Sequence, residues 1–136
     1  MNNNSHIQGS TNETILVDDS FTASDIVKEP KYVRTWRVIL DNEKLQIEID
    51  INFDLFPMEQ NKRYQVILTQ SFLPEYKKSF SYAMYGKIFK IDLEQDQYQS
   101  IYISYGGLVM KMRGKLNDMS QNIKNETRCY ILLRQI

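Results

Sequence analysis

Ser100-Ile-Tyr-Ile-Ser-Tyr-Gly-Gly-Leu-Val-Met-Lys-Met-Arg-Gly114 sets two runs of β-favouring residues on either side of Gly106–Gly107. A Gly-Gly pair between such runs signals a hairpin, because the tight turns that match strand twist need positive φ. Before the turn, Ile101, Ile103 and Tyr105 share one face, and Tyr102 and Ser104 share the other. After it, Leu108, Met110 and Met112 alternate with Val109, Lys111 and Arg113, and Gly114 closes the run. The stretch predicts a two-stranded ribbon with one apolar face.

Upstream, Leu45–Phe53 shows the same period more cleanly. Leu45, Ile47, Ile49, Ile51 and Phe53 point one way, and Gln46, Glu48, Asp50 and Asn52 the other. Strict alternation of this kind marks an antiparallel sheet with one dry and one wet face. Tyr32–Leu40, Tyr64–Ser71, Phe80–Ile91 and Arg128–Arg134 read as further strands, and Ile15–Val17 as the start of a first one. Gly86, inside Phe80–Ile91, suggests a bulge or a second backbone passing close. Asp18–Ile26, rich in turn-forming residues, reads as a turn or loop. Phe72–Ser79 and Asn117–Thr127 read as loop and polar connection. The count is seven or eight strands with no long helix, which indicates an all-β sandwich or small barrel, and closure would remove exposed edges.

The chain has 136 residues, enough for one domain with its own core. Met1–Glu13 is rich in asparagine and serine without apolar periodicity, so residues 1–13 read as a disordered tail and 14–136 as the single domain. No run approaches the ~18 apolar residues of a membrane span, and the start lacks a signal peptide's apolar segment, so the chain reads as soluble and intracellular, with no membrane partner.

Machinery for catalysis is missing. The one histidine, His6, lies in the tail, so a Ser/His/Asp triad cannot form, and with one cysteine, Cys129, an ordinary zinc site is excluded. Cys129 reads as a buried structural thiol. Gly106–Gly107 opens into a strand rather than a helix, so it is no phosphate loop. Glu48 and Asp50 read as a solvated strand face, and Asp18 and Asp19 as exposed acids. Asp92–Asp96 superficially resembles a calcium loop but has Gln97 and Ile103 where glycine and glutamate are required. No metal or cofactor is expected.

Net charge is zero, unevenly spread. Residues 1–59 hold eleven acids and five bases, whereas 111–136 hold six bases and two acids. Tyr82, Tyr85, Tyr102 and Tyr105 lie near Lys87, Lys111 and Arg113. Such a set could be structural, could form the centre of a protein interface, or could stack bases of single-stranded nucleic acid.

Tyr82-Ala-Met-Tyr-Gly-Lys87, Ser104-Tyr-Gly-Gly-Leu108 with Met110 and Gly114, and the strand ending Leu55-Phe-Pro57 together resemble one family. It is the small shared subunit, number eight, of the eukaryotic nuclear RNA polymerases I, II and III, and the resemblance spans roughly residues 17–136. It implies an antiparallel β-barrel of about eight strands, related to the oligonucleotide/oligosaccharide-binding fold. It further implies a non-catalytic nuclear subunit that docks on the polymerase's largest subunit and supports assembly of the enzyme. The motif residues carried over as candidate partner contacts are Tyr82, Met84, Tyr85, Gly86, Lys87, Ser104, Tyr105, Gly106, Gly107, Leu108 and Met110. Lys111 and Arg113 join them from the polar side of the ribbon. Many family members carry a long polar insertion where this chain has only Phe72–Ser79. The alternative reading is a free-standing oligonucleotide-binding barrel using the tyrosines and the Lys/Arg face.

Overall fold

The computed structural model describes residues 14–28 and 34–136, so the expected tail lies outside the described residues. Eight antiparallel strands close into a barrel: β1 (Ile15–Lys28), β2 (Thr35–Asp41), β3 (Leu45–Asn52), β4 (Arg63–Thr69), β5 (Tyr82–Leu93), β6 (Tyr98–Tyr105), β7 (Leu108–Lys115) and β8 (Arg128–Gln135). Around the barrel they run β1-β2-β3-β7-β6-β5-β8-β4, with β4 pairing back to β1. The α-helix α1 (Tyr76–Ser79) is a single turn, and Gln95–Gln97 and Leu116–Asp118 form short 3-10 turns.

Alternation sets the inside. Ile47, Ile49 and Ile51 of β3, Ile101 and Ile103 of β6, Met110 and Met112 of β7, and Cys129, Ile131 and Leu133 of β8 are all buried. The ribbon forms as its sequence predicts: Tyr105 faces Leu108, and Gly106 and Gly107 turn between them with φ of 63° and 104°.

Asp18–Ile26 is the main correction. It is no loop but the middle of the longest strand, paired with β4 on one side and β2 on the other. Phe21 and Ala23 point into the core. Register shifts at Ile15/Val17 and Ala23/Asp25 break the two-residue period, which is why the alternation does not show in the sequence. Its turn-like residues instead face outward and bond across strands, as Asp18 does in accepting from Gln65 at 2.9 Å.

Gly86 is the site of a close approach, not a bulge; the shift on β5 falls at Ile88/Lys90. A β-carbon at Gly86 would overlap the Ser104 carbonyl oxygen and lie 2.6 Å from Cδ1 of Tyr105. The connection after β7 is less polar in effect than in composition, since Met119 and Ile123 help to close the core.

One apolar row lies outside the barrel. Ile67 and Leu132 point outward on β4 and β8, face one another in register, and are only 4% and 0% exposed. Phe72 packs on Tyr130 at 5.1 Å and Arg134 lies over Phe80 at 5.0 Å. The chain carrying α1 between those two contacts therefore passes over Leu132 and Ile67. In this chain the short 72–79 segment is a strap.

Candidate functional site

The motif residues divide by side of the wall. Tyr82, Gly86, Tyr105 and Met110 are buried, and Met84 and Leu108 pack partly against the core. Tyr82 receives the Asn52 N–H at 3.3 Å and stacks on Phe56. Burial raises its hydroxyl above the ordinary tyrosine range, with the Asn52 N–H pulling the other way. Tyr105 covers Gly86, and burial pushes its phenol well up. These residues set the barrel's shape. Tyr85, Lys87, Ser104, Gly106, Gly107, Lys111 and Arg113 remain at the surface to varying degrees.

Strand register arranges the outward group into rows. Arg128, Lys87, Ser104 and Val109 lie side by side across β8, β5, β6 and β7. The next row runs Lys90, Tyr102, Lys111 and Glu48, ending on β3. A third runs Asp92, Ser100, Arg113 and Gln46. Tyr85 stands at the edge, 48% exposed, with its ring 4.5 Å from Tyr130. The turn thus brings the motif strands together, and the barrel adds β8 and β3 at the flanks.

Several cations on this face are engaged. Lys87 pairs with Glu126 at 2.7 Å, Lys90 with Asp92 at 3.4 Å, and Arg113 with Glu94 at 3.0 Å. Hydrogen bonds from the Ser100 hydroxyl and then from Arg113 hold the Glu94 carboxyl below its usual range. Lys111 makes no ion pair among the described residues; its ammonium lies 5.8 Å from the Tyr102 ring. Rings that a base could stack on are already flanked by cations: Arg113 and Lys115 over Tyr98, Lys90 and Lys111 over Tyr102, at 4.3–5.8 Å. With Tyr82 and Tyr105 turned inward, the four motif tyrosines do not make one stacking platform.

Asp50 was legible only as a wet-face acid, yet it holds two strands. Its Oδ1 accepts from Arg37 Nε and its Oδ2 from the Val109 N–H, each at 3.1 Å. Arg37 reaches Asp50 as its register partner on β2, whereas Val109 carries no signal in sequence, because only the meeting of β3 with β7 brings it there. No group of His, Cys, Asp and Glu among the described residues could hold a metal ion. Cys129 is buried, and burial pushes its thiol up to about 12, so it is no nucleophile. No helix among them is long and apolar enough to cross a membrane.

Comparison with known proteins places these features. The model of the family described as RNA polymerase Rpb8 matches residues 18–79 and 73–135. The DNA-directed RNA polymerases I, II, and III subunit RPABC3 of Schizosaccharomyces pombe is 30% identical over 126 residues, covering 90% of this chain and 98% of that protein. The corresponding protein of Saccharomyces cerevisiae is 25% identical, covering 88% and 97%. One from Caenorhabditis briggsae, named as a probable subunit of the same kind, is 27% identical, covering 89% and 96%.

Proposed function

This chain belongs to the RNA polymerase Rpb8 family, and from that premise we propose that it is a common, non-catalytic subunit of DNA-directed RNA polymerases that acts in the nucleus by docking on the largest subunit. The observation that carries the docking surface is the grouping of the outward motif residues in adjacent rows: Lys87 beside Ser104, Ser104 beside Val109, and Lys111 beside Tyr102. A closed barrel presents such a face rigidly, because its inward residues fix every strand's register. Lys111, free of an ion pair among the described residues, and Arg128 give the face a positive character that an acidic surface complements. Tyr85 supplies the large, half-exposed ring that interface centres favour.

The test is recovery of polymerase with a tagged copy of the chain from cells of its own source. Wild type should bring down the largest subunits. Lys111→Glu combined with Tyr85→Ala should reduce that recovery at least tenfold while melting within about 2 °C of wild type, since exposed changes shift stability little. Normal recovery with the double variant would show that docking uses another face. Salt-sensitive binding of single-stranded DNA by the isolated chain, with no recovery of polymerase, would favour the oligonucleotide-binding barrel instead.

A further inference from the structure

The seam between β3 and β7 does not run the full length of the strands. β3 stays paired with β2 as far as Asn52, but with β7 only to Ile49 opposite Met110. β7 stays paired with β6 to Leu108. Beyond Ile49 and Met110 the two strands part, and a groove of about 440 Å³ opens between them. Val27 and Arg37 stand on one side of it, Leu108 and Val109 on the other, and Glu48 and Asp50 lie between. A smaller cleft of about 190 Å³ continues from it toward Tyr102 and Lys111, sharing Arg37, Glu48 and Val109.

The groove and its continuation carry charges of both signs, Glu48 and Asp50 with Arg37, and Lys111 at the far end. Two N–H groups that the parting strands would leave open are already answered from within the chain, Val109 by Asp50 and Asn52 by the Tyr82 hydroxyl. The Arg37 guanidinium is taken up by the same Asp50. Glu48 is different: it is half-buried and makes no hydrogen bond or ion pair among the described residues. Lys111 is its register partner on β7, yet the two are not within ion-pair distance. The groove therefore offers a visitor an unanswered carboxylate, with the apolar side chains of Val27, Leu108 and Val109 beside it. Val27 is 43% exposed, so its side chain is open to a visitor.

We propose that this groove receives an extended segment of the polymerase's largest subunit, which places a lysine or arginine on Glu48 and an adjacent apolar side chain against Val27, Leu108 and Val109. The proposal rests on the docking reading above and deepens it, from a face to an occupied groove. Charge complementarity selects the cation, because a half-buried carboxylate gains most from a partner that is itself a donor. The open, trough-like continuation toward Tyr102 suits a chain passing through better than a small enclosed ligand.

The experiment uses the full chain in the assembled enzyme. A photo-crosslinking residue replaces Val27, and polymerase is recovered and digested to find what was captured. The expected result is a crosslink to one stretch of the largest subunit holding a basic residue next to an apolar one. In parallel, Glu48→Lys should lower recovery at least tenfold and Glu48→Gln by a smaller factor, while Glu43→Lys, exposed in the turn before β3 and outside both the rows and the groove, should leave it unchanged. Melting of each isolated variant shows that the barrel is intact. If wild type recovers polymerase but Glu48→Lys does so equally well, or Val27 captures a second copy of this chain or nothing, the groove proposal is wrong and docking stands. If wild type recovers no largest subunit, both fail.

Discussion

Replacing Gly86 with alanine tests the packing argument at its tightest point. The added β-carbon would overlap the Ser104 carbonyl oxygen, and would sit 2.9 Å from the carbonyl carbon and 2.6 Å from Cδ1 of Tyr105. Carbon atoms in contact settle near 3.5–4.0 Å, so β5 and β6 would have to separate by most of an ångström. The obstacle is backbone on one side and a buried ring on the other, which leaves no flexible side-chain tip to swing away. Overpacking of this kind costs about 1–3 kcal/mol, and the backbone obstacle puts Gly86→Ala at the upper end, about 3 kcal/mol. For a chain of this size that lowers the melting temperature by roughly 10 °C. Gly114→Ala is the control. There the new β-carbon would meet Leu45 Cδ2 at 2.5 Å, Lys44 O at 3.0 Å and Met119 Cε at 3.2 Å. Two of those three are ends of flexible side chains, so the cost should be about 1 kcal/mol. Adding Tyr105→Leu to Gly86→Ala should recover nothing, because the Ser104 carbonyl stays and a core ring is lost. Thermal melting followed by circular dichroism reads all of these. Gly86→Ala melting within 2 °C of wild type, or Gly114→Ala falling further than Gly86→Ala, would show that the β5–β6 approach at Gly86 is not the tightest point of the barrel.

Further perturbations separate the other contributions. Ile49→Asp places a carboxylate in a fully buried position and should cost several kcal/mol, enough to abolish cooperative melting; a normal melt would remove β3 from the core. At Gly107 (φ 104°) a β-carbon meets open space, so Gly107→Val pays only backbone strain, about 1–3 kcal/mol, and Gly107→Asn should cost less; equal melting of the two variants would count against the left-handed turn. The Cys129 thiol, raised from 9.0 to about 12, is neutral when folded and ionises when unfolded. Stability should therefore fall as pH rises above 9, by about 1 kcal/mol between pH 9 and 10, and Cys129→Ala should flatten that slope in urea titrations; parallel slopes would contradict it. Glu94, lowered from 4.5 by Ser100 and Arg113, adds stability that is complete above pH 4.5 and lost as pH falls through its folded value. The melting difference between wild type and Glu94→Gln should accordingly be largest above pH 5 and shrink below 4.5, and a constant difference down to pH 3.5 would rule this out.

Features that depend on near neighbours along the chain could be read from the residues alone. In β3, β6 and β7 a two-residue period separates inside from outside, because slipping a strand by one residue would turn its whole apolar set to water. The turn at Gly106–Gly107 was equally legible, since both glycines hold the positive φ that such a turn demands. β1 was not, because two register shifts scramble its period and its inward residues, Phe21 and Ala23, are too few to show through.

Features that require distant strands to meet emerge only on folding. Nothing local says that β3 pairs with β7, β5 with β8 or β4 with β1, yet those pairings close the barrel. They also divide the family motifs, turning Tyr82, Gly86, Tyr105 and Met110 into core while leaving Tyr85, Lys87, Lys111 and Arg113 outside. Outward Ile67 and Leu132 break the inside–outside rule only because the 72–79 strap, remote in contact though not in composition, covers them. Asp50 and Glu48 share one strand face and one sequence pattern. Asp50 is satisfied by Arg37 and Val109, and Glu48 is left facing a groove, because the β3–β7 seam ends between the two, and where a seam between two distant strands ends is fixed by the closure of the whole barrel.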